Sequence, residues 1–343
     1  MDERVAYVTV RDFRGHEQYK LELGDGVTVI TGGNGVGKTS LLEALHMVSR
    51  GRSFRAGKED LARRDGSGGF GVEVGWTSGR VVKVAYDGKL MQFIAEGQAK
   101  KKLLKKLKTP VVVLVPDDLH FIYGSGTAHR EFFDRWFAQV DEIYDKLLKD
   151  YAKALKHRNM LLKQDDVRQE DLKTWDLSVA RYGSYLGKRR EQALEVVNKD
   201  LSEVYARVSG EKANVQVVLP PAKGEEEFLF ELAVNEQKDR AVGHTTTGPH
   251  RDDFVLLYNG RRVSEAASRG EMKSLVIALK IVEVEMIRQR LGRRPLILFD
   301  DVFSELDEKR QATLSKSFAD HQMVITAVKA PKGVGGKRVE IGV

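Results

Sequence analysis

The spacing of apolar positions changes character along the chain. Val5 to Val10 and Leu21 to Leu23 alternate like an antiparallel ribbon, whereas Val27 to Thr31 is the continuous β-branched and apolar run of a strand buried on both faces. A glycine-rich turn follows, and Leu41, Leu42, Leu45 and Val48 then recur at helical spacing across Ser40 to Ser49. Between Gly71 and Ile94 short alternating runs are broken by Gly75, Gly79 and the hairpin pair Asp87-Gly88, which predicts a small antiparallel sheet. Val111 to Val115 reads as a further buried strand, closed by Pro116. From Tyr123 to Ser209 the period is helical, with one interruption around Gln164 to Gln169, and Phe132, Phe133 and Trp136 sit at core spacing. Strands are expected again at Val215 to Leu219 and Phe228 to Val234. A long helix over Glu271 to Leu291 and strands at Leu296 to Phe299 and Met323 to Ile325 complete the pattern. The class predicted is α/β, with a first lobe of residues 1–121 and 236–343 and an inserted, mainly helical second lobe of residues 122–235. No fixed-period repeat and no low-complexity tract interrupts it.

Composition narrows what such a chain can do. At 343 residues, 41% of them hydrophobic and 31% charged, it can bury a substantial core and reads as neither disordered nor membrane-embedded. No apolar run approaches the roughly 18 residues that a membrane span requires. With no cysteine there is no disulfide framework, thiolate metal site or thiol nucleophile, which fits a reducing cytoplasm. The eight histidines show no metal-ligand spacing. The formal charge of +7 is compatible with a polyanionic partner without requiring one. A basic run, Lys100, Lys101, Lys102, Lys105, Lys106 and Lys108 around Leu103, Leu104 and Leu107, reads as an amphipathic segment. It is either a solvated helix face or a contact for phosphates.

The strongest chemical signal is Gly32-Gly33-Asn34-Gly35-Val36-Gly37-Lys38-Thr39, followed by Ser40: a complete P-loop pattern between a buried strand and a helix. The glycines let backbone N–H groups turn toward phosphate oxygens, Lys38 supplies a point charge to them, and the Thr39 hydroxyl can ligate Mg²⁺. The apolar strand Leu296 to Phe299 ends in Asp300-Asp301. Ligands of open parallel sheets sit at strand carboxyl ends, so Asp300 can complete the Mg²⁺ shell and Asp301 can face an attacking water. Ser268-Arg269-Gly270 opens the long helix, a pattern that serves equally as a plain N-cap or as a donor set for an anion. Ser304-Glu305-Leu306-Asp307 follows the carboxylate pair, and the order of these four motifs resembles an ABC-type ATPase head.

The resemblance becomes specific at Asp12-Phe13-Arg14, Leu42-Glu43-Ala44, Gly51-Arg52-Ser53-Phe54-Arg55, Pro116-Asp117-Asp118-Leu119, Leu155-Lys156-His157-Arg158-Asn159 and Gly248-Pro249-His250-Arg251-Asp252-Asp253. Nearly end to end, the chain resembles the RecF family of bacterial recombination-mediator ATPases, in the SMC-like branch of ABC proteins. Ser40 stands where that family often carries Asn, and Arg269-Gly270-Glu271-Met272 replaces its usual Gln-Gly-Gln-Gln. The resemblance implies an ATP- and Mg²⁺-dependent homodimer in which Ser268 and Gly270 of one copy, with Lys273, complete the site formed by Lys38, Thr39, Asp300 and Asp301 of the other. It further implies a ribose or adenine contact from Arg14, a γ-phosphate-sensing role for Thr326 and a glutamine-loop equivalent at Val115 to Asp118. The implied activity is a weak, DNA-stimulated ATPase that clamps DNA in recombinational repair, at duplexes, gaps or single-strand/double-strand junctions and without sequence preference. A RecR-like mediator is the implied protein partner, and the implied location is cytoplasmic and nucleoid-associated. The alternative is an SMC-type structural ATPase head, against which stands the lack of sustained heptads between residues 40 and 267. An ABC transporter subunit would carry a Leu-Ser-Gly-Gly-Gln-like signature and a switch histidine, and neither is present.

Overall fold

The computed structural model describes residues 3–55, 62–164 and 168–342, which divide into two compact units. The first comprises Met1–Leu119 with Ile287–Val343, the second His120–Met286. The second junction thus lies later than the expected return at residue 236. Two packing interactions explain the shift: Val255–Tyr258 pairs antiparallel with Val215–Val218, and Phe254 stacks on Phe133 with ring centroids 4.5 Å apart. Both hold the segment after residue 236 to the helical unit.

In the first unit, Val5–Phe13 and His16–Glu22 form the expected ribbon and are extended by Phe70–Trp76, Val81–Tyr86, Met91–Ala95 and Gln98–Lys100 into a six-stranded antiparallel sheet. The Asp87 carboxylate accepts the backbone N–H groups of Lys89 and Leu90, fixing the predicted hairpin turn. A second, five-stranded sheet is parallel throughout. Its order places Lys337–Glu340 beside Val27–Thr31, then Met323–Ala327, Leu296–Asp300 and Val111–Leu114. The strand Lys337–Glu340 lacks any apolar run and was not foreseeable by periodicity. Between the two sheets lies the helix Lys38–Arg50, which touches strands of both; eleven of its thirteen residues are buried. A helix enclosed on both sides needs no polar stripe, so its polar side chains must find partners indoors. Gln322 joins the sheets at one end: its amide accepts from Val5 N–H and donates to the Val5 and Gly24 carbonyls.

The second unit is built on three helices, Gly126–Val140, Glu142–Leu161 and Gln169–Ser209, with a three-stranded antiparallel sheet of Val215–Val218, Val255–Tyr258 and Arg261–Arg262. Phe132, Phe133 and Trp136 are buried among Phe121, Phe137 and Phe254, as the spacing predicted. Phe228 to Val234, expected as a strand, is instead part of the helix Glu225–Val234. Three glutamates in its first turn suit the positive end of a helix, and only Phe228 and Leu232, one turn apart, are buried. Two arginines organise the interior. Arg158, fully buried, donates to Asp176 (2.6 Å), Asp239 (2.7 Å) and the Thr245 hydroxyl (2.7 Å), while Arg190 meets both Asp134 oxygens at 3.0 Å and the Pro249 carbonyl at 2.6 Å. No helix among the described residues is long and apolar enough to cross a membrane.

Candidate nucleotide site

The three inner strands of the parallel sheet, Val27–Thr31, Met323–Ala327 and Leu296–Asp300, end on one edge, and the predicted chemistry collects there. Val27–Thr31 delivers the loop Gly32 to Gly37, whose Gly33, Asn34 and Gly35 form an exposed rim above half-buried Val36. Gly37 starts the helix Lys38–Arg50 in the left-handed region at φ 96°, where a Cβ would sit 2.2 Å from Nε2 of His16; only glycine fits. The same His16 nitrogen donates to the Gly37 carbonyl at 3.0 Å. Lys38, buried, points its Nζ back into the loop, 2.8 Å from the Gly32 carbonyl and 2.6 Å from that of Gly33. Ser40 lies buried in the first helical turn.

The hydroxyls of Thr39, on the P-loop helix, and Thr326, on the strand beside Leu296–Asp300, both donate to Oδ1 of Asp300, at 2.8 and 2.7 Å. The backbone N–H of Asp301 donates to the Thr326 hydroxyl oxygen at 3.0 Å and to its carbonyl at 3.1 Å. Asp301 itself adopts φ 53°, a conformation that costs a non-glycine residue about 1–3 kcal/mol and recurs where a side chain must be aimed. Its Oδ1 is buried without a hydrogen-bond partner. Burial pushes its carboxyl above the ordinary carboxylate range, Asp300 and Glu305 add to the rise, and Lys38 opposes it. Val115 to Asp118 follows the outer strand Val111–Leu114, where the Asp118 carboxylate accepts Val115 N–H at 3.1 Å.

The donor set suits a magnesium nucleotide. Among the described residues no group of three or more histidines, cysteines or carboxylates could hold a metal, so an ion here depends on oxygens from elsewhere. Mg²⁺ tolerates that arrangement, since it commonly takes one or two protein oxygens and fills its octahedron with phosphate and water. Thr39 Oγ1 and Asp300 Oδ1 are such a pair, and the orphaned Asp301 Oδ1 adds an unused acceptor beside them.

Arg14 is placed differently from its expected nucleotide contact. It lies at the tip of the ribbon with φ 53°, and its guanidinium is bidentate on Glu43 of the P-loop helix, at 2.9 and 2.6 Å. Glu43 is fully buried and also accepts the Ser53 hydroxyl at 2.6 Å. The residues of Leu42-Glu43-Ala44 and Gly51 to Arg55 therefore serve a shared ion pair that holds the ribbon on the helix. His16 escaped sequence reading because a lone histidine in a polar ribbon carries no spacing signal.

In the second unit Ser268 caps the helix Arg269–Leu291: its backbone N–H donates to the Glu271 carboxylate at 2.6 Å, and its hydroxyl oxygen accepts from Glu271 N–H at 3.3 Å. This reciprocal capping box was the plainer of the two sequence readings. The Tyr258 hydroxyl donates to the same carboxylate at 2.7 Å, and hydrogen bonds from Ser268 and Tyr258 hold it below the usual carboxylate range. Gly270 follows in the first turn and Lys273 opens the second. The block Gly248 to Asp253 proves to be a packed corner. His250 Nε2 donates to the Thr245 carbonyl at 3.0 Å and its Nδ1 accepts the Tyr151 hydroxyl at 2.7 Å. Burial lowers the His250 pKa to about 4, so the neutral ring is the stable form.

Comparison with known proteins agrees with this geometry. Residues 7–207 match the AAA domain family. A DNA replication and repair protein RecF from Lachnospira eligens is 30% identical, with 94% of this chain and 92% of that protein aligned. One from Leptospira interrogans is 34% identical over 94% of this chain and 89% of its own length. The chain belongs to the RecF family. Solved structures of the recombination mediator protein RecF of the RecFOR pathway, among them RecF–ATP, superpose with a TM-score of 0.90 at 26% identity, covering 99% of this chain and 96% of theirs. An Smc head domain from Pyrococcus furiosus reaches a TM-score of 0.52 at 15% identity over 95% of this chain and 90% of that one, a likeness of fold alone. The SMC-type alternative is thus the distant relation, and the RecF family the near one.

Proposed function

We propose that this member of the RecF family binds ATP with Mg²⁺ at the P-loop and uses it to bring two copies together on DNA during recombinational repair. The observation that carries this reading is the convergence of Lys38, Thr39, Thr326 and Asp300 at one sheet edge beside Asp301, whose Oδ1 is buried without a hydrogen-bond partner. Loop amides and Lys38 hold the phosphates, and Thr39 with Asp300 positions the ion. Held by Thr39 and Asp300, the ion would supply positive charge against the charge developing on the phosphates. Asp301 takes a proton from the water, a role helped by its raised pKa, and Thr326 keeps the two carboxylates in place. Ser268 and Gly270 of a second copy, with Lys273 near them, supply donors from a helix N-terminus to the terminal phosphate, so the nucleotide is completed only in the dimer. Slow, DNA-stimulated hydrolysis then resets the clamp. Arg14, bidentate on Glu43, holds the ribbon on the P-loop helix that carries Lys38 and Thr39. The fit to a recombination mediator of the RecFOR pathway supports a RecR-like partner; gapped or junction DNA as target and a cytoplasmic, nucleoid-associated location complete the proposal.

Size-exclusion chromatography with and without ATP tests the scheme. Lys38→Arg should abolish the ATP-dependent shift to dimer, and Ser268→Ala should abolish it while leaving nucleotide affinity of the monomer within a few-fold of wild type. An unchanged shift in Lys38→Arg refutes the site. A large loss of monomer affinity in Ser268→Ala refutes its role across the dimer.

A further inference from the structure

Between Glu96 and Lys108 the chain carries six lysines against one glutamate, a net +5 out of the formal +7 of the whole protein. Further basic stretches lie at 288–294 and 329–338, and the Lys100 to Lys108 run is denser than either. Of the two readings of this amphipathic segment, the solvated helix face is not what forms. Gln98–Lys100 is the short edge strand of the six-stranded sheet, and only the single 3₁₀ turn Lys105–Leu107 follows it.

Leucines anchor the segment. Leu103 and Leu107 are buried, and a Cβ placed on Gly51 would come within 3.1 Å of Leu103 and 3.8 Å of Phe93. The Arg80 guanidinium donates to the Leu107 carbonyl at 2.8 Å, and Thr109 N–H donates to the Ser49 carbonyl at 3.0 Å. The backbone is therefore pinned against the C-terminal end of the P-loop helix. At thirteen residues that helix sets the segment about 20 Å from the phosphate loop at its other end. Lys100, Lys101 and Lys102 are exposed and form no ion pair among the described residues; Lys106 reaches Glu96 at 3.5 Å, with both side chains mostly in solvent.

A lysine on an edge strand discourages strand addition, and Lys100 is explained that way. Lys101, Lys102, Lys105, Lys106 and Lys108 lie beyond the strand and guard no open edge. Keeping so many like charges together on a pinned backbone opposes folding by self-repulsion, a cost that a polyanion relieves. We propose that Lys100 to Lys108 is the phosphate-contacting surface through which this chain holds duplex DNA. A row of flexible ammonium groups with no aromatic or amide side chain among them neutralises backbone phosphates and reads no base edges. The assignment rests on the DNA-binding reading above and adds where the backbone is held.

The test uses the triple variant Lys100→Gln/Lys101→Gln/Lys102→Gln, which leaves both leucine anchors intact, beside the control Lys188→Gln/Lys199→Gln in the helical unit. Fluorescence anisotropy with a labelled mixed-sequence duplex, ATP and a series of salt concentrations gives affinity and salt slope. The triple variant should bind at least about tenfold more weakly, with a slope shallower by about 2–3 as counterion release is lost, and should keep its ATP-dependent dimerisation. The control should bind like wild type. An unchanged affinity and slope in the triple variant, with wild type binding, overturns the surface and leaves the proposed function standing. Equal losses in variant and control overturn it as a bulk charge effect. Wild type that binds no DNA in any nucleotide state overturns the functional reading and this surface with it.

Discussion

Two sets of buried charge in this protein are built on opposite terms. In the helical unit Asp239 is saturated: Arg158 Nη1, the Thr246 N–H and the Thr246 hydroxyl all donate to it, and the carboxylate is fully buried. At the sheet edge Asp301 keeps one buried oxygen without a partner, beside a second carboxylate and on a strained backbone. Burying a charge is tolerable when the neighbours supply its hydrogen bonds and expensive when they do not. The satisfied set, complete but for the buried Nη2 of Arg158, holds the helical unit together, whereas the sheet edge leaves a carboxylate acceptor open beside the phosphate loop.

The largest expected effect falls on the satisfied set. Arg158→Met strands Asp239 and Asp176 in the interior and should cost about 3–5 kcal/mol, read as a lowered denaturant midpoint. A cost below about 1 kcal/mol would erase the distinction drawn here. Next, Asp301→Asn should lower turnover on the order of 10²–10³-fold while leaving the thermal midpoint unchanged or higher, since the buried Oδ1 has no hydrogen bond to lose and asparagine tolerates the left-handed backbone. Loss of stability along with turnover would mean that Asp301 is structural after all. The smallest effect concerns pH. His250 has its pKa lowered from 6.5 to about 4 by burial, with Arg251 and Arg130 adding to the drop, so the unfolded chain takes up the proton first. Stability should therefore fall as pH drops from 6.5 to about 4, by about 2–3 kcal/mol in total. Chemical denaturation of His250→Gln across that window should show a flatter dependence; identical slopes would dissociate the corner from this titration.

The contrast also marks where the sequence was readable. Phosphate-binding patterns are dense and local, so Gly32 to Thr39 and Asp300-Asp301 were legible as groups that meet at one sheet edge, and Ser268 was legible as a helix start. The satisfied network was not, because Arg158, Asp176, Asp239 and Thr245 are brought together only by the packing of separate helices. Arg158-Asn159 and Gly248 to Asp253 stood out by resemblance alone, and the structure shows why they go together: Asn159 accepts from the backbone and hydroxyl of Thr245, and Arg190 holds the Pro249 carbonyl. Gly248, at φ 117°, would drive a Cβ to within 2.4 Å of Phe228. Elements were misread where apolar runs were short. Phe228 to Val234 fits period 2 as well as 3.6, and the Lys100 run imitates a helical face although only Leu103 and Leu107 face inward.

The position of the Lys38–Arg50 helix between two sheets has one more consequence, visible to isotope exchange. Solvent deuterium can reach its central amides only when a sheet lifts away, so their exchange clocks the opening of the entire first unit. The rim amides of Gly33 to Gly35 lie outside that enclosure and report local breathing instead. One segment of chain thus carries both clocks side by side, the slow one serving as internal reference for whatever slows the fast one.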